Sequence, residues 1–171
     1  MAKVIDVIKN RFSCREYSDK KVSLKKLNEI LIAGQSAPSA MNRQIAKITA
    51  VRRSSKVEAL RELGKLLSKR DVMYGAKAIV LVHAPREDRF CIQDCTCVLE
   101  NIFVAARALK IDSCWINQFD ELLSSEEGKK LRKRLGIPKE NMIVGSAILG
   151  YRKENAKIEI KDKSNITIDI Q

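Results

Sequence analysis

Two stretches of this chain, Ala78-Ile79-Val80-Leu81-Val82 and Met142 to Leu149, are nearly unbroken apolar runs bounded by turn signals. Runs of that length suit strands buried on both faces, and they stop well short of the ~18 residues a membrane span needs. Strands covered on both sides require helices to cover them, and the remaining sequence supplies helical periodicity. Val4, Ile5 and Ile8 mark a short amphipathic helix. Ser23 caps a second, with Leu24, Leu27, Ile30 and Leu31 on one face and Gly34 near its end. Ser55-Lys56-Val57-Glu58 is a capping-box pattern that opens a third, carrying Leu60, Leu63 and Leu67. A long helix is expected over about Cys91 to Leu109, and another from Ser124-Ser125-Glu126-Glu127 to about Leu135. Ile45–Val51 and Ser113–Ile116 read as further strands, and Ile166, Ile168 and Ile170 alternate as in a half-buried strand near an edge. Interleaved helices and strands without a linker or repeat predict one domain over residues 1–171, a sheet with helices on both faces.

The chain has 171 residues, 45% of them apolar and 32% charged, which suffices for a sizeable core and excludes collagenous or disordered classes. The start lacks the long apolar segment of a signal peptide, and the five cysteines read as reduced thiols, so a cytoplasmic location is expected. The net charge of +12 is concentrated at the ends. Residues 1–70 carry 17 Lys+Arg against 6 Asp+Glu, and residues 129–171 carry 11 against 5. That asymmetry fits a nucleic-acid surface, a pocket for phosphorylated ligands, or simply a solvated basic face. With 5% aromatic residues, a base-stacking platform is not suggested.

The obvious catalytic motifs are missing. Cys91-x3-Cys95-x-Cys97 has neither zinc nor iron–sulfur spacing, and buried cysteine as a small apolar residue is the simpler reading. The single histidine, His83, ends an apolar run and reads as structural, leaving no Cys–His–Asp relay. Neither a phosphate-binding GxxxxGKS loop nor a GxGxxG follows any strand.

Two stretches remain. Arg11-Phe12-Ser13-Cys14-Arg15-Glu16-Tyr17 sets two guanidinium forks around a hydroxyl, the donor set that phosphate recognition uses; alone, it equally fits a solvated basic turn. Ala37-Pro38-Ser39-Ala40-Met41-Asn42-Arg43-Gln44 offers a rigid turn followed by hydroxyl and carboxamide groups that suit the polar edge of a heteroaromatic ring; alone, it equally fits a plain helix-to-strand connection.

In order, these segments resemble the nitroreductase family of FMN-dependent reductases. Arg11, Ser13, Arg15 and Tyr17 match its R-R-S-x-R-x-[FY] segment, and Ala37, Pro38, Ser39, Asn42 and Gln44 match its A-P-S-x-x-N-x-Q. Leu109 to Ile116, with Trp115, looks like its stretch after the long helix, and Ile148-Leu149-Gly150-Tyr151 looks like its strand end before Arg152 and Lys153. Four matches in order span residues 4 to about 153. The chain departs from the pattern at Ile45, Ala46 and Lys47, where the family has Pro and Trp after Gln, and at Lys110, where it has Gly. The stretch between Val82 and Asp94 is also short.

The resemblance implies an α+β fold around a mixed, mostly antiparallel sheet, and a homodimer with FMN at the subunit interface. Arg11, Ser13 and Arg15 would hold the ribityl phosphate beside Phe12, with Arg152 or Lys153 completing the cationic clamp. Pro38, Ser39, Asn42 and Gln44 would line the ring. Trp115, Ile116 and Asn117 would lie against its other face or edge, with a backbone N–H, that of Asn117, directed at flavin N5. NADH or NADPH would supply two electrons, passed through the flavin to a nitro, quinone or similar small-molecule acceptor. No protein acid, base, nucleophile or metal is called for. The segment from about residue 164 to 171 would cross to the partner's sheet edge, because its isoleucines need an apolar surface. No membrane association is implied and nucleic acid is not expected. The alternative reading is a non-catalytic flavin-binding or sensing module, or a basic nucleic-acid-binding domain, on the same fold.

Overall fold

A computed structural model describes residues 4–160 and 165–171. The elements run α1 (Val4–Lys9), α2 (Leu24–Gln35), β1 (Lys47–Val51), α3 (Ser54–Ser68), β2 (Ala78–Pro85), α4 (Cys91–Ala108), β3 (Asp112–Ile116), α5 (Phe119–Ser124), α6 (Glu126–Arg134) and β4 (Asn141–Gly150). The strands form one sheet in the order β1-β2-β4-β3, and all three neighbouring pairs are antiparallel. The parallel component is an isolated bridge between Ser13 and Ser113.

The sheet separates two cores. Ile79 and Leu81 of β2 face α3, α5 and α6, where they meet Leu60, Leu63, Phe119 and Leu123. Ala78, Val80, Val82 and Ala84 face α2 and α4, where they meet Ile30, Leu99, Ile102 and Phe103. The continuous apolar run therefore conceals a strict alternation between two buried faces. In β4 the alternation breaks. Val82 pairs with Gly145 and His83 with Ile143, so Val144 is an extra residue. This bulge reverses the parity: Ile143 and Ile148 share one core, Val144, Ala147 and Leu149 the other.

Several local expectations change in the structure. The stripe of α1 faces outward: Val4, Ile5 and Ile8 are exposed, and Val7 is the residue that α1 buries. The capping box of α3 does not form; Arg53 is the N-cap residue and makes no side-chain bond there. Ser125 does cap α6, accepting from the Gly128 N–H at 3.0 Å, but a separate short helix, α5, precedes it. Ile166, Ile168 and Ile170 form no strand within the chain and are exposed. Ser164, where the exchanged segment was expected to begin, lies outside the described residues, as do Met1 to Lys3.

Candidate functional site

The Arg11–Tyr17 segment is fixed by β3. The Cys14 N–H donates to the Ser113 carbonyl at 2.9 Å, and Phe12, Cys14 and Tyr17 insert into the core alongside α3. Alternation in this extended stretch leaves Arg11, Ser13 and Arg15 directed into a cleft of about 610 Å³, which Lys157, Ile158 and Glu159 close from the far side. Among the described residues neither Arg11 nor Arg15 has a carboxylate within ion-pair distance. The cleft therefore gathers two guanidinium groups and a hydroxyl, a donor set that suits anions, with Glu16 and Glu159 also on its lining.

An aromatic pair lies next to it. The Arg11 guanidinium sits 5.8 Å from the Phe103 ring centre, and Phe103 meets Trp115 at 5.7 Å with a 32° tilt. Trp115 is 37% exposed, so one side of the indole is available to a ligand. Gly145 makes its position possible, because a Cβ there would come within 2.7 Å of the indole. The Trp115 indole N–H reaches Asn117 Oδ1 at 3.5 Å. Ile116 turns into the core and gives the cleft no side chain.

The second segment is a strained turn. Met41, Asn42 and Gln44 have φ of 53°, 55° and 52°, in the left-handed region that non-glycine residues seldom occupy. Ser39 Oγ accepts the Gln44 N–H at 3.0 Å, and Asn42 Oδ1 accepts from the Gln44 amide at 2.9 Å. Arg43 reaches Asp88 at 2.7 Å, and the Ala40 N–H donates to Asp94 at 3.0 Å. Pro38, Ser39 and Gln44 line a separate cavity of about 520 Å³ with Asp94, Ile48 and Val98.

The profile of the nitroreductase family matches residues 8–70 and 59–151. The chain belongs to the nitroreductase family. A provisionally named NADH dehydrogenase/NAD(P)H nitroreductase of Archaeoglobus fulgidus is 34% identical over 96% of this chain and 95% of its own length. A Bacteroides fragilis nitroreductase crystallised with bound FMN is 33% identical, with a TM-score of 0.88 over 99% of this chain and 100% of that one. A Desulfitobacterium hafniense nitroreductase with bound FMN shares the fold, with a TM-score of 0.84 at 24% identity and the same coverage.

Against the family pattern, the residues expected to close the phosphate clamp are arranged differently. Arg152 lies over the Phe12 ring at 5.9 Å but lines a different cavity, shared with Asp6, Asn10 and Arg107. Its guanidinium pairs with the buried Asp112 at 3.2 Å. Lys153 is exposed, its N–H bound to the Glu16 carbonyl at 3.1 Å. The cation that lines the cleft from this end of the chain is Lys157, which sequence reasoning overlooked because it sits among alternating charges without a motif. Asp94 was also overlooked. Its signal was present: a carboxylate at helical spacing from Cys91, Cys95 and Val98, on the apolar stripe of α4.

The remaining reactive groups are quiet. His83 is buried between Thr49 Oγ1 at 3.0 Å and Asn141 Nδ2 at 2.8 Å. Burial, with Arg132 and Lys47 nearby, lowers its pKa to about 4. Burial raises Cys95 to about 12. Cys114 is raised by burial too, although Arg15 and Arg11, distant in sequence, pull it the other way in space.

Proposed function

We propose that this protein is an FMN-dependent oxidoreductase. It moves two electrons from NADH or NADPH to a nitro, quinone or similar small oxidised acceptor, and it works as a cytoplasmic homodimer with the cofactor at the subunit interface. The observation that carries the reading is the pair of guanidinium groups, Arg11 and Arg15, flanking Ser13 in one cleft, neither with an ion-pair partner among the described residues. A flavin phosphate is the anion that this donor set and the FMN-bound relative at 33% identity together favour.

When bound, the flavin supplies the hydride chemistry, and the chain's residues bind and shape the site. Arg11 and Arg15 donate to the phosphate, with Ser13 adding a hydroxyl and Phe12 seating the segment. Trp115 and Asn117 border the same region beyond Phe103. Pro38, Ser39, Asn42 and Gln44 hold the ring from a turn that opens on the second cavity. Within one chain the phosphate-side and ring-side residues line different cavities, which supports assembly of each site from two copies. The outward stripe of Val4, Ile5 and Ile8 supports the same arrangement. No side chain need transfer a proton, in keeping with a neutral, enclosed His83 and protonated buried thiols. The five cysteines are free, as a reducing compartment allows.

The test is direct. Purified protein should take up one FMN per chain, show flavin absorption, and be bleached anaerobically by NADH or NADPH, with reoxidation by an acceptor panel. Protein that retains no FMN at saturating concentration would count against the reading.

A further inference from the structure

The 39–44 turn holds an unfavourable backbone, and something outside it must keep it there. Three of its residues sit at positive φ without being glycine, a region that L side chains occupy at a steric cost. Two of its bonds, donated by Gln44 to Ser39 and to Asn42, lie within the turn and on the surface. The Arg43–Asp88 pair is also exposed. Ala37, Ile45 and Ala46 pack the flanks of the turn against the α2–α4 core, and the buried side chain that bonds to the turn itself is Asp94. It lies in the first turn of α4, its carboxylate is almost wholly enclosed, and its Oδ1 accepts the Ala40 N–H at 3.0 Å.

The other oxygen, Oδ2, is buried without any hydrogen-bond partner among the described residues. Nor does Asp94 have an ion-pair partner there. The positive end of α4 offsets part of its charge, but a buried carboxylate with an idle oxygen is expensive for an anchor alone. An asparagine could hold the Ala40 N–H with one oxygen and no charge. Asp94 also lines the cavity that Pro38, Ser39 and Gln44 share, so its partly offset charge lies beside the place where those residues would hold a ring.

We propose that Asp94 is a positioning residue for this site: it locks the 39–44 turn through Ala40, and its charge makes the adjoining cavity disfavour negative charge. The proposal rests on the FMN reading for its consequence, namely a lower midpoint potential of the bound flavin. The turn-locking half stands without any ligand.

Two variants separate the functions. Asp94→Asn keeps an oxygen for the Ala40 N–H and removes the charge, whereas Asp94→Ala removes both. Hydrogen exchange of the Ala40 amide in FMN-free protein should remain slow in wild type and Asp94→Asn and become faster in Asp94→Ala. Asp94→Ala should bind FMN about tenfold more weakly, the scale of one lost charge-assisted hydrogen bond, while Asp94→Asn stays within about twofold because that bond survives. The flavin of Asp94→Asn should have a more positive midpoint potential than wild type. Equal Ala40 exchange in all three proteins overturns the locking, and an unchanged potential in Asp94→Asn overturns the role of the charge. A wild-type protein that binds no FMN refutes the proposed function, yet leaves the exchange measurement to decide the lock.

Discussion

Asp112 grips Arg152 twice, accepting its backbone N–H at 3.1 Å and its guanidinium at 3.2 Å. Arg107 stands 3.8 Å away on the same carboxylate, so one buried acid ties the chain after β4 to the C-terminal end of α4. Arg152 is thus engaged by Asp112, whereas Arg11 and Arg15 have no ion-pair partner among the described residues and are left to the proposed phosphate contact. Arg11→Ala should weaken FMN binding by about 1.5–3 kcal/mol, with little change in melting temperature. Arg152→Ala should leave FMN affinity nearly unchanged and lower stability by about 1 kcal/mol, because Asp112 then keeps Arg107 and the backbone N–H of residue 152 but loses the half-exposed guanidinium. Titration with FMN and thermal unfolding on both variants check this; the reverse assignment of effects would return Arg152 to the clamp.

Lys110 occupies the left-handed residue of a helix stop. Its φ is 58°, and the Lys110 N–H to Arg107 carbonyl and Ile111 N–H to Ala106 carbonyl bonds complete the paired terminus of α4 at 3.1 and 2.8 Å. A lysine bears the steric penalty that glycine lacks there. Lys110→Gly should stabilise the protein by about 0.5–1 kcal/mol, the residue's backbone penalty less the extra freedom glycine gains when unfolded. Denaturant unfolding would show a higher midpoint at constant slope; a lower one would contradict it.

His83 makes stability depend on pH. Its folded pKa of about 4 lies below the unfolded value of about 6.5, so between those values the unfolded chain binds the extra proton. Stability from this residue is complete above pH ~6.5 and falls as pH drops towards ~4, by roughly 3 kcal/mol over the window. Unfolding free energies of wild type and His83→Gln at pH 7.5 and 4.5 should differ in slope, the variant being flatter. Parallel slopes would mean that another group carries the acid sensitivity.

The thiols should be spectators. Burial raises both Cys95 and Cys114, so neither is a thiolate at neutral pH. A Cys95→Ser, Cys114→Ser double variant is expected to keep its flavin and its nicotinamide-driven reduction rate, measured by stopped-flow bleaching. Lost turnover with FMN still bound would place a thiol in the reaction.

The stripe on α1 gives the assembly its test. Ile5→Asp, Ile8→Asp should shift a dimer towards monomer in sedimentation at micromolar concentration and lower FMN affinity with it, since both residues are exposed in the single chain. A wild-type protein that is already monomeric with full FMN occupancy would refute the shared site.

What the sequence revealed followed the strength of its periodicity. β2, β4 and α4 were legible because long apolar patterns leave few other structures open to them. Asp94 escaped because a charge on an apolar stripe reads as an interruption until the turn it anchors is in view. The bulge at Val144 was hidden, since a strand buried on both faces shows the same apolar letters in either register. The α1 helix was legible and the direction of its stripe was not, for a related reason: periodicity identifies an apolar face but not the molecule that covers it. The Arg152–Asp112 pair was hidden on a different ground, because Asp112 lies 40 residues away and the β3–β4 pairing brings them together.

The two halves of the candidate site are rooted on opposite sides of the sheet. Phe12, Cys14 and Tyr17 anchor the phosphate segment in the core beneath α3, while Ala37, Ile45 and Ala46 anchor the ring turn against the core of α2 and α4. Under the proposed function, Leu60→Ala should narrow the preference for FMN over riboflavin, and Leu99→Ala should weaken both ligands alike, each core losing about 2–5 kcal/mol. Identical effects of the two variants would deny the separation. On that reading, with grip and reactivity rooted largely in different cores, a lineage could retune what the flavin reacts with and never let go of the flavin.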